Sequence, residues 1–167
     1  MIPSLSEDCG RCAALCCLAL AFDRGESFGI DKPAGVPCPK LSGHACSIHD
    51  RLENEGFSGC VRYSCTGAGQ RVVQELFAGR SWQADATLTR PMVDAFRGMR
   101  EIQERLAQLS AAQSLDLSEE DAAEAEALIA PLLPGAITTE SVIAFPGSRL
   151  SRRIDGFVRS LRRYVTA

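Results

Sequence analysis

The second half of the chain alternates apolar and polar positions with the period of an α-helix. Three stretches show this pattern: residues 91–112, 119–133 and 149–165. Each predicted helix has an apolar stripe that must be buried against another part of this chain or against another chain. The stripes consist of Met92, Phe96, Met99, Leu106 and Leu109, of Ala122, Ala125, Leu128 and Ile129, and of Leu150, Ile154, Phe157, Leu161 and Val165.

Local signals mark the ends of these predicted helices. Pro91 suits a first helical position, and Ser118 opens a near capping box with Asp121. Pro134-Gly135 and Pro146-Gly147 interrupt the chain between the helices.

The first half contains shorter predicted elements. The sequence predicts a helix over residues 8–22, with Ser6 or Asp8 as its N-cap. It also predicts short helices over 47–55, ended by Gly56, and over 70–77, ended at Gly79, while residues 31–47 and 59–69 should be loops. The predicted fold class is mainly α. A Cys-rich metal-binding module of short helices and loops (1–79) packs on a helical extension (80–167), either as two units or as a single domain.

Composition and charge narrow the functional classes. Hydrophobic residues make up 46% and charged residues 23% of the chain, which is typical of a globular protein. The net charge of −3 gives the whole chain no general attraction to nucleic acid or to an acidic membrane. The apolar run 13–22 is far shorter than the ~20 residues of a membrane span, and acidic residues precede it, unlike in a signal peptide. We therefore expect a cytoplasmic protein without a membrane partner.

The cysteines are concentrated in one part of the chain. All eight lie between positions 9 and 65, and the 102 residues that follow contain none. Clustered thiols in a reducing compartment are more often metal ligands than disulfides, and eight thiols are what two four-thiolate sites require. The bound group would be zinc or a [4Fe-4S] cluster. The predicted ligands are Cys9, Cys12, Cys16, Cys17, Cys38, Cys46, Cys60 and Cys65.

The predicted first helix would gather three of these thiols. Because a helix advances ~100° per residue, Cys9, Cys12 and Cys16 would fall within about 60° of one another. A stripe of thiols suits a soft metal. Cys17 would point about 100° away, toward a different site or the far side of the same one.

Three alternative roles for the cysteines compete with metal binding. One or two of the cysteines can serve as small core residues, although eight within residues 9–65 exceed what packing needs. A disulfide framework would allow about 105 pairings, but no signal peptide is evident. A redox dithiol at Cys9-x2-Cys12 would normally follow a strand, and no strand is predicted there.

The order of the cysteines resembles a known bacterial family. Cys9-x2-Cys12-x3-Cys16-Cys17 is followed by Cys38-Pro39-Lys40-Leu41, Cys46-Ser47-Ile48-His49 and the pair Cys60 and Cys65. This arrangement is similar to the CxxCxxCC proteins, which are described as zinc- or iron-chelating, and it covers residues 9–65. The chain has three residues between Cys12 and Cys16, His49 where the family has Tyr, and Val61 where it often has Arg.

The resemblance extends to two further groups of proteins. A related cysteine arrangement occurs in flagellin lysine methylases, which implies that an iron–sulfur cluster is an alternative to zinc. The segments Lys32-Pro33-Ala34-Gly35 and Gly56-Phe57-Ser58-Gly59 resemble the front of some actinobacterial pentapeptide-repeat proteins. The resemblance implies metal binding and supplies no reaction, so whether the protein is an enzyme stays open.

Two histidines flank Cys46. His49 lies one helical turn after Cys46 and is a candidate additional zinc ligand. His44 lies in a Ser-Gly-His turn that should face water. Gly67-Ala68-Gly69 resembles a fragment of a phosphate-binding loop, but a flexible connector after Cys65 is the favoured interpretation.

The last predicted helix has a basic face. A solvated face that pairs with the acidic stretch 116–126 is the favoured interpretation, and a nucleic-acid or acidic-protein contact is the alternative. The basic residues are Arg149, Arg152, Arg153, Arg159, Arg162 and Arg163.

The sequence thus predicts a metal-binding protein with a structural or metal-handling role. The alternatives are an iron–sulfur enzyme or electron-transfer protein, and a metal-stabilised module that binds nucleic acid or protein.

Overall fold

The computed structural model describes residues 1–165, and the last two positions of the predicted 80–167 extension lie outside the described residues. The fold is mainly α, as predicted. Within the described range the only paired strands are β1 and β2, two residues each, which form one antiparallel hairpin. The helices are α1 (Leu15–Ala19), α2 (Ser58–Arg62), α3 (Ala68–Arg71), α4 (Thr89–Ala112), α5 (Glu119–Ile129), α6 (Thr139–Ile143) and α7 (Arg149–Ser160), and the strands are β1 (Leu41–Ser42) and β2 (Ala45–Cys46).

Several short helical turns complete the chain. The helix α3 continues as a π-helical turn, Val72–Leu76. The 3-10 turns are Cys9–Arg11, His49–Arg51, Ala86–Leu88, Ala130–Leu132 and Leu161–Tyr164.

The long helix α4 is the centre of the main apolar core. Its residues Met92, Phe96, Met99, Leu106 and Leu109 are fully buried, as their spacing predicts. They pack in one cluster with buried residues from both ends of the chain. The front half contributes Leu15, Leu18, Ala68 and Val72, and the back half contributes Leu128, Leu132, Val142, Ile154, Phe157 and Leu161.

A second, smaller core lies under the loops of the front half. Its buried members are Phe22, Cys38, Ile48, Leu52 and Phe57. Phe22 stacks on Phe28, with ring centroids 4.4 Å apart. The prediction of a loop over 31–47 is largely correct, although the residues after Cys38 form the β1–β2 hairpin.

The three helices predicted for the back half are confirmed. Ser118 caps α5, because its side chain accepts a hydrogen bond from the Asp121 amide. Two details differ, since Ala122 and Val165 are exposed and lie outside the apolar stripes. Within residues 1–165, no helix combines the length and the apolar character that a bilayer span requires.

The predicted continuous helix over residues 8–22 is wrong. Cys12 is extended, Ala14 is left-handed, and only Leu15–Ala19 forms an α-helix. Two carbonyls that a helix would use internally are instead held by distant side chains. The Trp82 indole donates to the Ala13 carbonyl at 2.7 Å, and the Gln74 amide donates to the Arg11 carbonyl at 3.0 Å. Asp8 and Ser6 make no helix-capping bond.

Two other predictions for the front half need correction. Residues 47–55 contain only the 3-10 turn His49–Arg51 followed by turns, although the chain does reverse at Gly56, where φ is +80°. Residues 59–69 include α2 and the start of α3, so this segment is not an irregular loop.

The short helix α6 was not predicted, yet its backbone packs directly on α4 at Gly98. Its capping box uses Thr138 and Ser141, and a serine in place of Glu or Gln departs from the usual signature. The carbonyl of Val142 lies so near Gly98 that a Cβ there would stand 1.9 Å from the oxygen.

We predict that Gly98→Ala destabilises the protein by about 1–3 kcal/mol, because the added methyl group overpacks the α4–α6 contact. Gly156→Ala is the matched control. That position is also inside a helix, but nothing lies within 4 Å of its added Cβ. The control should stabilise α7 by about 0.5–1 kcal/mol. Urea unfolding measures the free energy of unfolding of both variants. Equal changes in this free energy would contradict a close contact between Gly98 and Val142.

Candidate metal centre

The helix α1 places two adjacent cysteines in two different environments. Cys16 packs against the main core, whereas Cys17 packs against the small core of Phe22, Ile48 and Phe57. Their sulfur atoms are 4.0 Å apart, within hydrogen-bonding range for sulfur. Of the other six cysteines, Cys46 lies in β2, Cys60 lies in α2, and the remaining four lie on turns and loops.

The first group consists of Cys9, Cys12, Cys16 and Cys65. Burial raises the pKa of the Cys9 thiol, and the neighbouring thiolates of Cys16 and Cys65 raise it further. Burial raises the pKa of Cys12 to about 12, with the same two neighbours and Cys9 adding to the effect. Cys12 and Cys65 border the main core with Cys16, and Cys9 is exposed at the edge.

The second group consists of Cys17, Cys38, Cys46 and Cys60, which all border the small core. The Cys38 amide donates to the Cys17 carbonyl at 3.0 Å, which ties the loop to α1. Burial raises the pKa of Cys60 to about 11, with contributions from Cys16, Cys38 and Cys46. Cys38 is the most enclosed of the four and is 7% exposed.

The adjacent thiols of Cys16 and Cys17 differ in pKa. The side-chain hydrogen bond between the two sulfurs lowers the pKa of the Cys16 thiol to about 7. The same bond and burial raise the pKa of Cys17 far above its ordinary value. In the metal-free protein, Cys16 is therefore the first of the two thiols to ionise.

Two glycines make room for the first group. A Cβ on Gly69 would lie 2.4 Å from the Cys12 sulfur, and a Cβ on Gly67 would lie 2.7 Å from the Ser4 carbonyl. Both glycines are buried, so the expectation of a flexible connector after Cys65 is wrong. The glycines are needed for close packing of Cys12 and the N-terminal segment on α3.

An aromatic side chain and a cation border the first group. The Tyr63 hydroxyl is buried, and the described residues provide it with no hydrogen-bond partner. Arg100 lies over the Tyr63 ring, 5.3 Å from its centroid. Burial raises the pKa of Tyr63, Arg100 opposes this effect, and Cys65 and Cys16 add to it.

The donor chemistry fits a soft metal ion or an iron–sulfur cluster. All eight cysteines are free thiols, and seven of them border one of the two cores. Cys9 completes the first set, because the charges of Cys16 and Cys65 act on it. Within residues 1–165, however, no three Cys, His, Asp or Glu side chains are already gathered in ligand geometry. A bound metal would have to draw each set together, as expected where metal binding is coupled to folding.

The two histidines are exposed at the edge of this region. His44 lies in the β1–β2 turn, as expected of a water-facing residue, and its ring contacts the Ser81 hydroxyl at 3.1 Å. His49 begins the turn His49–Arg51, and its role as a ligand stays a prediction.

Two of the six basic residues named for the last helix pair with acidic residues of α5. Arg153 pairs with Glu124 at 2.8 Å, and Arg163 pairs with Asp121. The helix α7 and the turn Leu161–Tyr164 that follows it therefore contact α5 through opposite charges. For these two arginines the structure has the pairing that the sequence favoured.

Comparison with other proteins assigns no activity. No family model matches the chain, and no solved structure is similar to it. The chain is similar to the uncharacterized protein YybG of Bacillus subtilis (strain 168), with 41% identity over 115 residues. The match covers 68% of this chain and 41% of that protein, so this chain spans about two fifths of the relative's length.

We predict that the metal-free, reduced protein has one thiol that titrates near pH 7. Cys17→Ala should raise this pKa toward the ordinary 9.0, because it removes the donor to the Cys16 thiolate. The ultraviolet absorbance of the thiolate against pH measures the shift. Cys16→Ala identifies the group, because the step near pH 7 should disappear; its persistence would contradict the assignment.

The same pair predicts how stability depends on pH. Between about pH 7 and 9, the folded metal-free protein binds fewer protons at Cys16 than the unfolded chain, so its stability should rise with pH. Above pH 9 the unfolded chain ionises the thiols whose pKa is raised in the fold, Cys12 and Cys60 among them, so stability should fall. Urea unfolding across this range measures both slopes.

Proposed function

We propose that the protein holds two metal centres in four-thiolate sites, with a structural or metal-handling role. Site A consists of Cys9, Cys12, Cys16 and Cys65. Site B consists of Cys17, Cys38, Cys46 and Cys60. The bound group is zinc or a [4Fe-4S] cluster, and the proposed compartment is the reducing cytoplasm, where thiols stay available for metal.

Seven of the eight free thiols border one of two apolar clusters, three at the main core and four at the small core, and this division carries the proposal. Cys9 is assigned to the first set because the charges of Cys16 and Cys65 act on it. Cysteines that served only as core residues would not need to gather at two cores around one adjacent pair. The number in each set is the number that a tetrahedral zinc site or a cubane cluster requires. The resemblance of residues 9–65 to CxxCxxCC proteins in cysteine order and count supports the same conclusion.

The raised thiol pKa values favour a metal over empty thiolates. Four partly buried thiolates would repel one another, and burial already penalises the charged form of Cys9, Cys12 and Cys60. A cation at the centre of each set would offset both costs and displace the protons.

The interaction alternative receives less support. Arg153 and Arg163 of the basic face are engaged by acidic side chains of α5. An Arg159→Ala variant tests it directly, because loss of binding to a nucleic acid or acidic partner with normal metal content would favour that alternative.

We predict two metal centres per chain, and one in each of the variants Cys12→Ser and Cys38→Ser. Each substitution removes one ligand from one site and leaves the other set of four complete. Protein purified without oxygen is measured by elemental analysis and by its visible spectrum. A colourless sample that contains zinc indicates zinc sites, and a brown sample that contains iron and sulfide indicates [4Fe-4S] clusters.

The control for this experiment is His49→Ala, which should retain both centres because eight thiols suffice. A wild-type protein that binds neither zinc nor iron after reconstitution would refute the proposal. Full metal content in both cysteine variants would refute the assignment of ligands.

We also predict that chelation loosens residues 9–65 more than it loosens the back half. The loops of the small core have little apolar surface of their own, whereas α4 is packed along its whole length. Hydrogen exchange should show faster amide exchange in the front segment and partial protection in α4, α5 and α7. Unchanged thermal stability after complete metal removal would contradict this prediction.

A further inference from the structure

The side chain of Lys32 is buried at the boundary between α1 and the small core. It is 3% exposed, which is unusual for a lysine. Its backbone is fixed as well, because Lys32 and Phe22 exchange two hydrogen bonds of 2.9 Å. The ammonium group lies over the Phe22 ring, 5.0 Å from the centroid.

Three backbone carbonyls surround the Lys32 nitrogen. Nζ donates to Leu18 O at 3.3 Å, to Pro33 O at 3.1 Å and to Val36 O at 2.7 Å. An ammonium has three N–H donors, whereas a neutral amine has only two, so this cage matches the charged form. The cage contains no carboxylate, so no formal negative charge in it neutralises the lysine.

The positive charge of Lys32 interacts with the cysteines at which the two proposed sites meet. Burial lowers the pKa of Lys32, and the thiolates of Cys38, Cys17 and Cys16 oppose that effect. Conversely, Lys32 is among the groups that lower the pKa of Cys16.

Geometry places the ammonium beside the same cysteines. Its acceptor Leu18 directly follows Cys16 and Cys17 on α1, and its acceptor Val36 lies two residues before Cys38. The Cys38 amide in turn donates to the Cys17 carbonyl at 3.0 Å.

The two sites must lie close together if both are loaded. The Cys16 and Cys17 sulfurs are 4.0 Å apart, and each metal–sulfur bond is about 2.3 Å, so the nearest metal atoms would be at most about 9 Å apart. A divalent ion, or a [4Fe-4S] cluster in its oxidised state, with four thiolates has a net charge of about −2. Two such centres repel each other strongly in a partly buried setting.

We propose that Lys32 is a built-in counter-cation shared by the two thiolate sites, which allows both to be loaded at once. This inference rests on the proposed function. Lys32 is a positioning and charge-compensating residue and not a ligand, since a lysine held by three carbonyls keeps its nitrogen away from the metal. Without it, the first metal centre should bind almost normally and the second should bind poorly.

The test is a titration of the metal-free protein with Co²⁺, followed by the sulfur-to-cobalt charge-transfer band. Lys32→Gln keeps amide donors for the carbonyl cage but removes the charge, and Lys32→Met removes both. Lys32→Arg keeps the charge. We expect Gln and Met to weaken the second binding step at least about tenfold, and Arg to restore most of it. Circular dichroism identifies any variant that fails to fold.

The same lysine variants in a protein that lacks site A distinguish charge compensation by Lys32 from structural support of its loop. In the Cys9→Ser/Cys12→Ser protein, site A is disabled and site B has no second metal centre beside it. If Lys32 compensates charge, Lys32→Gln should weaken site B much less in this background than in the full protein. An equal loss in both backgrounds would mean that Lys32 only holds the loop, and it would overturn the inference. If Lys32→Gln or Lys32→Met does not fold, Lys32→Arg is compared with the wild type in both backgrounds. Loss of binding at the second site in Lys32→Arg, which keeps the positive charge, would also overturn the inference.

The failure of the proposed function has a different signature. A wild-type protein that gives no charge-transfer band would refute metal binding itself, and the inference with it. A wild type that binds two ions, together with lysine variants that bind two ions equally well, would leave metal binding intact and refute the role of Lys32.

Discussion

The arrangement of the cysteines depends on one interruption of the backbone before α1. The indole of Trp82 and the amide of Gln74 hold the carbonyls of Ala13 and Arg11, which a continuous helix would have used itself. The chain therefore turns at Ala14, and Leu15 and Leu18 enter the main core. This turn sets Cys12 apart from Cys16 and directs Cys12 against Gly69. The cost of the left-handed Ala14 is met by hydrogen bonds from elsewhere in the fold.

The same core joins the thiol-bearing segments to the back helices. Gln103, fully buried on α4, accepts a hydrogen bond from Arg71 and donates to the carbonyls of Ser4 and Thr66. Arg71 in turn donates to the Leu132 carbonyl and to Glu75. Because these polar groups are buried and paired, loss of one partner would leave another unsatisfied. The thiols of the proposed site A are therefore supported by α4, whereas those of the proposed site B are supported mainly by the small core and by Lys32.

Electrostatics distinguish the two sites. The thiols proposed for site A include the exposed Cys9 and lie near Tyr63 and the half-buried Arg100, so water and a cation can moderate their charge. Site B is more enclosed, and the charge near it is the caged ammonium of Lys32. Buried thiols ionise only when something compensates the charge, which makes the placement of cations as important as the placement of sulfur.

The sequence alone determined the mainly α fold, the long amphipathic helices, the Ser118 cap and the presence of eight candidate thiol ligands in residues 9–65. These features follow from local periodicity and residue chemistry. The sequence could not predict the break at Ala14, the division of the cysteines into two sets, or the burial of Lys32 and Gly69. Each of these depends on contacts between residues far apart in the chain, such as Trp82 with Ala13 and Gly69 with Cys12. Only the tertiary structure specifies such contacts, because local propensity is weak in segments of three to five residues.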